Sequence, residues 1–307
     1  METRRRGETV KNLLDELSGG RILVADGAMG TMLMERGLKP GEPPESFNLQ
    51  RTSVLEEIAQ LYLDAGADII QTNTFGASSL KLSSYSLDDR VEEINRNAVR
   101  AVRKVVGDHA YVSGSCGPTG RFLKPYGDVE PEVMYHVFEK QIETLITAGV
   151  DVVCLETMMD LREITLAIKA AKTVSPATPV MATMTFDRTP KGFYTIMGVS
   201  TEAAVKGLEE AGADIIGSNC GNGIDNMVLI AQEFKRYCRR PIIIQSNAGI
   251  PVIKDNKPFY SETPEFMAEK AQELIRIGVA IIGGCCGTTP EHISALRRMV
   301  DHITREH

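Results

Sequence analysis

The sequence predicts a single (β/α)8 TIM barrel with an extra N-terminal helix. The first observation is a phrase that recurs as DAGADIIQTNTF at 64–75, TAGVDVVCLETM at 147–158, EAGADIIGSNC at 210–220 and RIGVAIIGGCC at 276–286. Each copy follows a stretch with apolar residues three and four apart, which is typical of an amphipathic helix. The glycine suits a helix C-terminus, and the apolar run after it suits a strand buried on both faces.

The second observation is the number and alternation of elements. Four further strands are expected, one before the first copy at 21–26 and three between the copies at 110–116, 179–186 and 241–247. Eight strands then alternate with eight helical stretches, which is the order of a (β/α)8 barrel. An open doubly wound sheet is the alternative, because the order of elements does not reveal closure. The uneven spacing of the copies argues against a solenoid of equal units.

The boundaries and connections follow from the same pattern. Residues 1–20 are expected to form the helical extension and residues 21–307 the barrel, and Asp160 with Glu163 indicates a helix start with a reciprocal cap. The connections from strand to helix are long, at 27–52, 117–130, 187–200 and 248–262. Barrel enzymes carry their active sites at the C-terminal ends of the strands, so this elaboration indicates where the chemistry takes place.

Composition and charge narrow the class of protein. The 307 residues are 43% hydrophobic, and 34 basic against 41 acidic side chains give a formal net charge of −7. This balance argues against nucleic acid or an anionic membrane as the main partner. No apolar run approaches the roughly 18 residues of a membrane span, and no secretory signal follows the N-terminal arginines. We therefore expect a cytoplasmic enzyme, in which disulfides are rare.

The strand ends supply the candidate site, because a barrel brings them to one mouth. They include Asp26, Asn73, Cys116, Glu156, Cys220, Asn247, Cys285 and Cys286. Three thiols, at Cys220, Cys285 and Cys286, would suit Zn²⁺ with an open fourth position. Spacing alone leaves this metal site and ordinary packing equally open, and a redox disulfide between the vicinal cysteines is a third interpretation. The other cysteines are expected to be packing residues: Cys116, Cys154 and Cys238.

Two acidic residues and one turn indicate a ligand. Asp26 and Glu156 follow apolar strands and could hold an ammonium group by charge-assisted hydrogen bonds. The turn DGAMGT at 26–31 is too short for a phosphate loop, but Gly27 and Ala28 would let a carboxylate approach backbone N–H groups. With a thiophilic metal, these groups describe an amino acid with a sulfur side chain. A barrel aldolase or decarboxylase would require a lysine at a strand end, and none of the eight expected strand ends has one.

Several motifs together resemble a known family. They are DGAMGT (26–31), GADIIQTNTFGA (66–77), GPTG (117–120), LET (155–157), SNC (218–220), SNAGIP (246–251) and GGCCGTTPEHI (283–293). The chain resembles the homocysteine S-methyltransferase family, and within it the homocysteine-binding module of cobalamin-dependent methionine synthases. The motifs extend from residue 21 to about residue 300, so the resemblance covers nearly the whole chain.

The resemblance implies a site and a reaction. Zn²⁺ would be held by Cys220, Cys285 and Cys286, with no catalytic residue beyond these ligands. Homocysteine would be held by Asp26, Glu156 and the backbone at Gly27 and Ala28. Asn247 matches a family asparagine that fills the fourth zinc position until substrate arrives. The implied reaction moves a methyl group to the homocysteine thiol and gives methionine.

The methyl donor is the open part of this implication. Closeness to the cobalamin-dependent branch favours methylcobalamin or another corrinoid carried on a separate protein, since no further module follows residue 307. S-methylmethionine, S-adenosylmethionine or a betaine is the alternative within the family. A non-catalytic subunit that binds homocysteine or docks a corrinoid protein is the alternative from another class.

Overall fold

Eight parallel strands form the central sheet of the computed structural model, which describes residues 11–254 and 257–306. They are β1 Leu23–Val24, β2 Ile69–Gln71, β3 Tyr111–Cys116, β4 Val152–Met158, β5 Val180–Met184, β8 Ile215–Asn219, β9 Ile242–Ser246 and β12 Ile281–Gly284. Their hydrogen-bonded order is β1-β12-β9-β8-β5-β4-β3-β2, and a parallel bridge between Ala25 and Ile69 joins the two end strands. This closure confirms the (β/α)8 barrel and excludes the open doubly wound sheet.

Helices surround the sheet and fill several of the long connections. The outer helices are α4 Thr52–Asp64, α6 Val91–Val106, α7 Pro131–Ala148, α8 Leu161–Val174, α9 Thr201–Ala211, α10 Ile224–Tyr237, α11 Pro264–Ile277 and α12 Pro290–Glu306. Shorter helices are α1 Leu13–Ser18, α2 Met29–Glu35, α3 Phe47–Gln50 and α5 Ser79–Leu82. No helix in the described part of the chain combines the length and apolarity needed to cross a membrane.

Two β-hairpins lie in the connections after β5 and β9. The first pairs β6 Asp187–Thr189 with β7 Gly192–Tyr194, and the second pairs β10 Val252–Lys254 with β11 Lys257–Phe259. Both hairpins belong to strand-to-helix connections, so they lie at the C-terminal end of the barrel. The elaboration that the sequence predicts at this end is therefore present.

The interior of the barrel changes from apolar to polar along the strands. At the N-terminal end, apolar side chains from the strands form one buried cluster with Leu13 and Leu17 of α1. The Tyr111 hydroxyl also donates to the Lys11 carbonyl at 2.8 Å. Helix α1 therefore closes this end, which confirms the predicted extra helix; residues 1–10 of the expected extension lie outside the described residues. Because strand side chains alternate between faces, the inward positions further along are polar: Ser113, Ser115, Glu156, Thr183, Asn219 and Gln245.

In the first three copies of the repeated phrase, an aspartate joins two neighbouring strands. Its carboxylate accepts a backbone N–H of the preceding strand, in the pairs Asp68–Val24 at 2.9 Å, Asp151–Val112 at 2.7 Å and Asp214–Val180 at 2.8 Å. Each carboxylate also forms an ion pair: Asp68 with Arg297, Asp151 with Arg103 and Asp214 with Lys172. The fourth copy has Ala280 at this position. The repeat thus carries a strand-joining side chain as well as a helix end.

The start of α8 corrects one prediction. Asp160 caps this helix as expected, with its side chain accepting the Arg162 N–H at 2.8 Å. Glu163 does not complete a reciprocal cap, because its carboxylate accepts the N–H and the hydroxyl of Thr119 at 2.8 and 2.7 Å. Thr119 belongs to the connection after β3, so Glu163 fastens that connection to α8. Burial raises the pKa of Glu163.

Candidate metal and substrate site

Three thiols converge at the C-terminal end of the barrel. Cys220 follows β8, and Cys285 with Cys286 follows the next-but-one strand, β12. Their sulfur atoms lie within 4.8 Å of one another, and the Sγ atoms of Cys220 and Cys286 are 3.8 Å apart. Among the described residues this is the only cluster of three side chains suited to hold a metal. All six cysteines are free, so the structure contains no disulfide between Cys285 and Cys286.

The chemistry and spacing of the three sulfurs fit Zn²⁺. Tetrahedral zinc with Zn–S distances of about 2.3 Å requires sulfurs about 3.8 Å apart. Soft sulfur donors also disfavour Mg²⁺ and Ca²⁺. Hydrogen bonds from Cys285 and Cys286 lower the pKa of Cys220, while donating to Cys220 raises the pKa of the other two thiols. The cluster therefore already favours one thiolate.

Glycines allow the turn that carries Cys285 and Cys286. Gly287 has φ +78°, and a Cβ there would lie 2.1 Å from the ring of Tyr260. A Cβ on Gly284 would lie 2.2 Å from the Thr288 hydroxyl oxygen. That hydroxyl donates to the Cys285 carbonyl at 2.7 Å and so closes the turn. The GGCCGT motif is thus a tightly packed turn, in which side chains on these glycines would displace the ligands.

Two buried carboxylates lie at the same end of the barrel. One oxygen of Asp26 accepts the Gln71 N–H at 2.8 Å, while its Oδ1 is buried with no partner in the described structure. Glu156 accepts the Ser115 hydroxyl at Oε1 and the Asn219 amide at Oε2, the latter at 3.3 Å. Burial raises the pKa of Asp26 to about 8 and that of Glu156 to about 7. A cationic group bound beside these two carboxyl groups would favour their ionised form and lower their pKa.

The turn after β1 is held by neighbouring side chains. A Cβ on Gly27 would lie 2.7 Å from the Thr288 hydroxyl and 2.9 Å from the Tyr62 hydroxyl, so this position has no room for a side chain. The Ala28 N–H donates to Thr288 Oγ1 at 3.2 Å, and Tyr62 donates to the Ala28 carbonyl at 3.2 Å. The Ala28 N–H, which was predicted to contact a substrate carboxylate, is therefore hydrogen-bonded to Thr288 in the free protein.

Asn247 lies beside the thiols. Its side chain forms a hydrogen bond that lowers the pKa of Cys220. Its Oδ1 atom is buried and has no partner in the described structure. The Asn247 N–H donates to the Asn222 carbonyl at 3.0 Å, which fixes the backbone. The Asn247 side chain therefore contacts Cys220 and keeps one oxygen without a partner in the described structure.

Other predicted strand-end residues serve the scaffold. The Asn73 amide donates to the Pro44 carbonyl and to Asn48 Oδ1, each at 2.8 Å, and so holds the connection after β1. Cys116 is buried among the outer helices and Cys154 inside the barrel. Cys238 is half-buried and donates to the Arg240 carbonyl at 3.2 Å. None of these cysteines belongs to the thiol cluster.

Sequence reasoning missed three residues of the site: Ser115, Asn219 and Thr288. Ser115 and Asn219 hold Glu156, and Thr288 closes the cysteine turn. Asn219 directly precedes Cys220 and Thr288 lies two residues after Cys286, so their places in the SNC and GGCCGT motifs were the available signal. Ser115 gave none, because its role depends on the neighbouring strand.

Comparisons with known proteins bear on the whole chain. A family model described as homocysteine S-methyltransferase matches residues 23–300. The chain is 33% identical to the methionine synthases of Mycobacterium tuberculosis and Mycobacterium leprae, over 96% and 92% of its length. It covers 26% and 24% of those proteins, and thus spans about a quarter of their length.

Solved structures agree on the fold. The metallated form of the homocysteine methyltransferase MmuM from Escherichia coli aligns with a TM-score of 0.79 at 22% identity, over 94% of this chain and 99% of that chain. The oxidized form aligns with a TM-score of 0.76 at 23% identity, over 94% of this chain and 98% of that one. At this identity the likeness concerns the fold alone, and the family rests on the sequence match. The chain belongs to the homocysteine S-methyltransferase family.

Proposed function

We propose that the protein moves a methyl group to the thiol of L-homocysteine, giving methionine, with Zn²⁺ held by Cys220, Cys285 and Cys286. The observation that carries this proposal is the cluster of three sulfurs within 4.8 Å at the same end of the barrel as Asp26 and Glu156. An aminothiol is the ligand whose two functional groups match these two sets of side chains. Membership of the family supports the same acceptor.

The metal would supply one part of the chemistry. Bound at this site, Zn²⁺ would lower the pKa of an incoming thiol, so that the nucleophilic thiolate would be present at neutral pH. Asn247, whose side chain bonds to Cys220 and whose Oδ1 is unpartnered in the described structure, is our candidate for the fourth ligand before substrate binds. The tight turn at Gly284 and Gly287 would hold two of the three sulfurs in place when the substrate binds.

The chain's own residues would orient the substrate. Asp26 and Glu156 accept hydrogen bonds from the ammonium group and become ionised as it arrives, which Ser115 and Asn219 assist by donating to Glu156. We assign the substrate carboxylate to the backbone at Gly27 and Ala28. Binding there requires the Ala28 N–H to exchange its 3.2 Å bond to Thr288 for one to the carboxylate.

With both ends held, the substrate sulfur lies at the mouth of the barrel, where the donor approaches. The sulfur attacks the methyl carbon in line, so that a carbon–sulfur bond forms while the bond between donor and methyl breaks. The bonding electron pair leaves with the donor. The site contributes position and exclusion of water, which is where much of the rate enhancement of such a displacement originates.

For the donor, we propose methylcobalamin or another methylcorrinoid carried by a protein. The described connections after β3, β5 and β9 place exposed apolar side chains around the mouth: Phe122, Tyr126, Ile196, Ile250 and Ile253. We call these five residues the mouth rim. Apolar side chains that surround a site entrance in this way would suit contact with a folded donor protein, since apolar patches mark protein contacts. A small donor, namely S-methylmethionine, S-adenosylmethionine or a betaine, would not cover the mouth rim.

The metal content and activity of two cysteine variants test the proposal. We expect about one zinc per chain, lost together with methyl transfer in Cys220→Ser. Cys238→Ser, outside the cluster, should retain both. The donors to compare are free methylcobalamin, a methylated corrinoid protein and S-methylmethionine. Full activity of zinc-free Cys220→Ser would contradict the proposal, and homocysteine binding without turnover on any donor would favour a non-catalytic subunit.

A further inference from the structure

We propose that Asn219 is a positioning residue that aims Glu156 at the amino group of the substrate, and so sets the preference for thiols that carry an α-amino group. This inference rests on the proposed function. It concerns a residue that touches Glu156 and a cysteine of the cluster, and that is itself fully buried.

The amide of Asn219 is the centre of a local hydrogen-bond network. Its Oδ1 accepts the Thr157 N–H at 2.7 Å and the Thr183 hydroxyl at 2.7 Å. Its Nδ2 donates to Thr157 Oγ1 at 2.8 Å and to Glu156 Oε2 at 3.3 Å, and lies 3.8 Å from Cys285 Sγ. One side chain therefore connects the end of β4, the end of β5 and the cysteine turn after β12.

The backbone at Thr157 explains why this connection matters. Thr157 has φ +58°, a left-handed conformation that β-branched residues rarely adopt. Both its N–H and its hydroxyl bond to Asn219, so the amide holds this irregular point of β4 in place. Since Thr157 directly follows Glu156, these bonds fix the part of the strand from which the carboxylate projects.

Glu156 is thus held from two sides. Ser115 of β3 donates to Oε1 and Asn219 of β8 donates to Oε2. Only an asparagine side chain both accepts from the Thr157 N–H and donates to Glu156 at this length. An aspartate would keep the acceptor atom for Thr157 and Thr183, but it could not donate.

The test compares two thiols that differ by the amino group. Homocysteine and 4-mercaptobutyrate share the thiol and the carboxylate, so the ratio of their affinities for the zinc-loaded protein, measured by calorimetry, reports the contact to the amino group. We expect Asn219→Ala to lower this ratio by about 10-fold or more, the scale of a hydrogen bond to a charged group. The affinity for 4-mercaptobutyrate should change by less than about 3-fold, since the thiol ligands remain.

A second variant separates the two halves of the amide. Asn219→Asp is isosteric and keeps the acceptor bonds to Thr157 and Thr183, so it keeps the test decisive if the alanine variant does not fold. We expect a reduced ratio here too, because the carboxylate cannot donate to Glu156. A ratio unchanged in Asn219→Ala, or restored in Asn219→Asp, would overturn the role of Asn219.

Asn95 offers a matched control. It is also fully buried, and its amide donates to the Ala77 and Val91 carbonyls, outside the candidate site. Asn95→Ala should lower stability without changing the ratio. A wild-type chain that binds neither thiol would reject the proposed function itself. A wild-type preference that persists in the Asn219 variants would reject only this inference.

Discussion

At the residue scale, burial of the two carboxylates determines how the site responds to pH. The pKa of Asp26 is raised to about 8 and that of Glu156 to about 7, chiefly by burial. Near neutral pH the free protein therefore keeps Asp26 largely protonated and Glu156 partly protonated. A bound ammonium group favours the ionised carboxylates, so binding releases those protons. Affinity for an amino-bearing ligand should then rise with pH until both groups are ionised before binding.

This gives a prediction for the pH dependence of binding. Homocysteine affinity should increase as the pH rises from about 6 to about 8, with proton release on binding measured by calorimetry in buffers of different ionisation enthalpy. The thiol proton is common to 4-mercaptobutyrate, so the excess release with homocysteine reports the carboxylates. Glu156→Gln should reduce that excess. Equal proton release for the two thiols at pH 7 would contradict the prediction.

The residue scale is also where sequence reasoning reached its limit. Cys220, Cys285 and Cys286 were predicted as a group because thiols are rare and chemically specific, and the structure brings them together. Asn219 and Ser115 are common residue types whose roles depend on contacts with β4. Those contacts join positions 63 and 41 residues apart in the chain, and no local pattern encodes them.

At the scale of elements, the repeated phrase was the most informative signal. Its glycines end helices with positive φ at Gly66, Gly149, Gly212 and Gly278, and its apolar runs are strands, as predicted. In the first three copies the aspartate has a role that the pattern did not indicate, because it joins its strand to the preceding one. The failed prediction at Glu163 has the same cause: a tertiary contact with Thr119 replaced the expected local one.

The strand-joining aspartates can be tested through stability. Asp214 accepts the Val180 N–H at 2.8 Å and pairs with Lys172 at 2.6 Å. Asp214→Ala leaves that strand N–H unpaired, so we expect the free energy of unfolding to fall by about 1–3 kcal/mol. Urea unfolding measures this change.

Asp225 provides the comparison for that experiment. It also pairs with a lysine, Lys270 at 3.2 Å, but its side chain is 65% exposed. Asp225→Ala should cost no more than about 1 kcal/mol, as for other exposed ion pairs. Equal losses in the two variants would show that the bond to the neighbouring strand contributes nothing beyond the ion pair.

At the scale of the whole molecule, the residues that stabilise the barrel and the residues of the candidate site lie at opposite ends. Helix α1 and the strand-joining aspartates lie at the N-terminal end, while the thiols, the carboxylates and the mouth rim lie at the other. This polarity was predictable, because closure of alternating strands and helices places every strand end at one mouth. The apolar rim was not predictable, since isolated apolar residues in loops give no indication of their exposure.

The rim leads to a prediction that discriminates between donors. Ile196 and Ile253 are 73% and 72% exposed, on the connections after β5 and β9. If a folded donor protein covers the mouth, changing both to serine removes contact area from that complex alone. We expect methyl transfer from a methylated corrinoid protein, measured as kcat/KM, to fall by about 10-fold or more, because burying one such side chain contributes about 1.5–3 kcal/mol.

Transfer from free methylcobalamin should stay unchanged in the same variant, because the thiols and carboxylates are untouched. Tyr237 supplies the control: it is 45% exposed at the end of α10, away from the strand-to-helix connections, so Tyr237→Ser should leave both rates as they are. A loss shared equally by the two donors would mean that the serines disturb the site itself. If the double variant and the wild-type chain react equally fast with the methylated corrinoid protein, that donor does not contact the mouth rim. A small free donor would then be the better candidate.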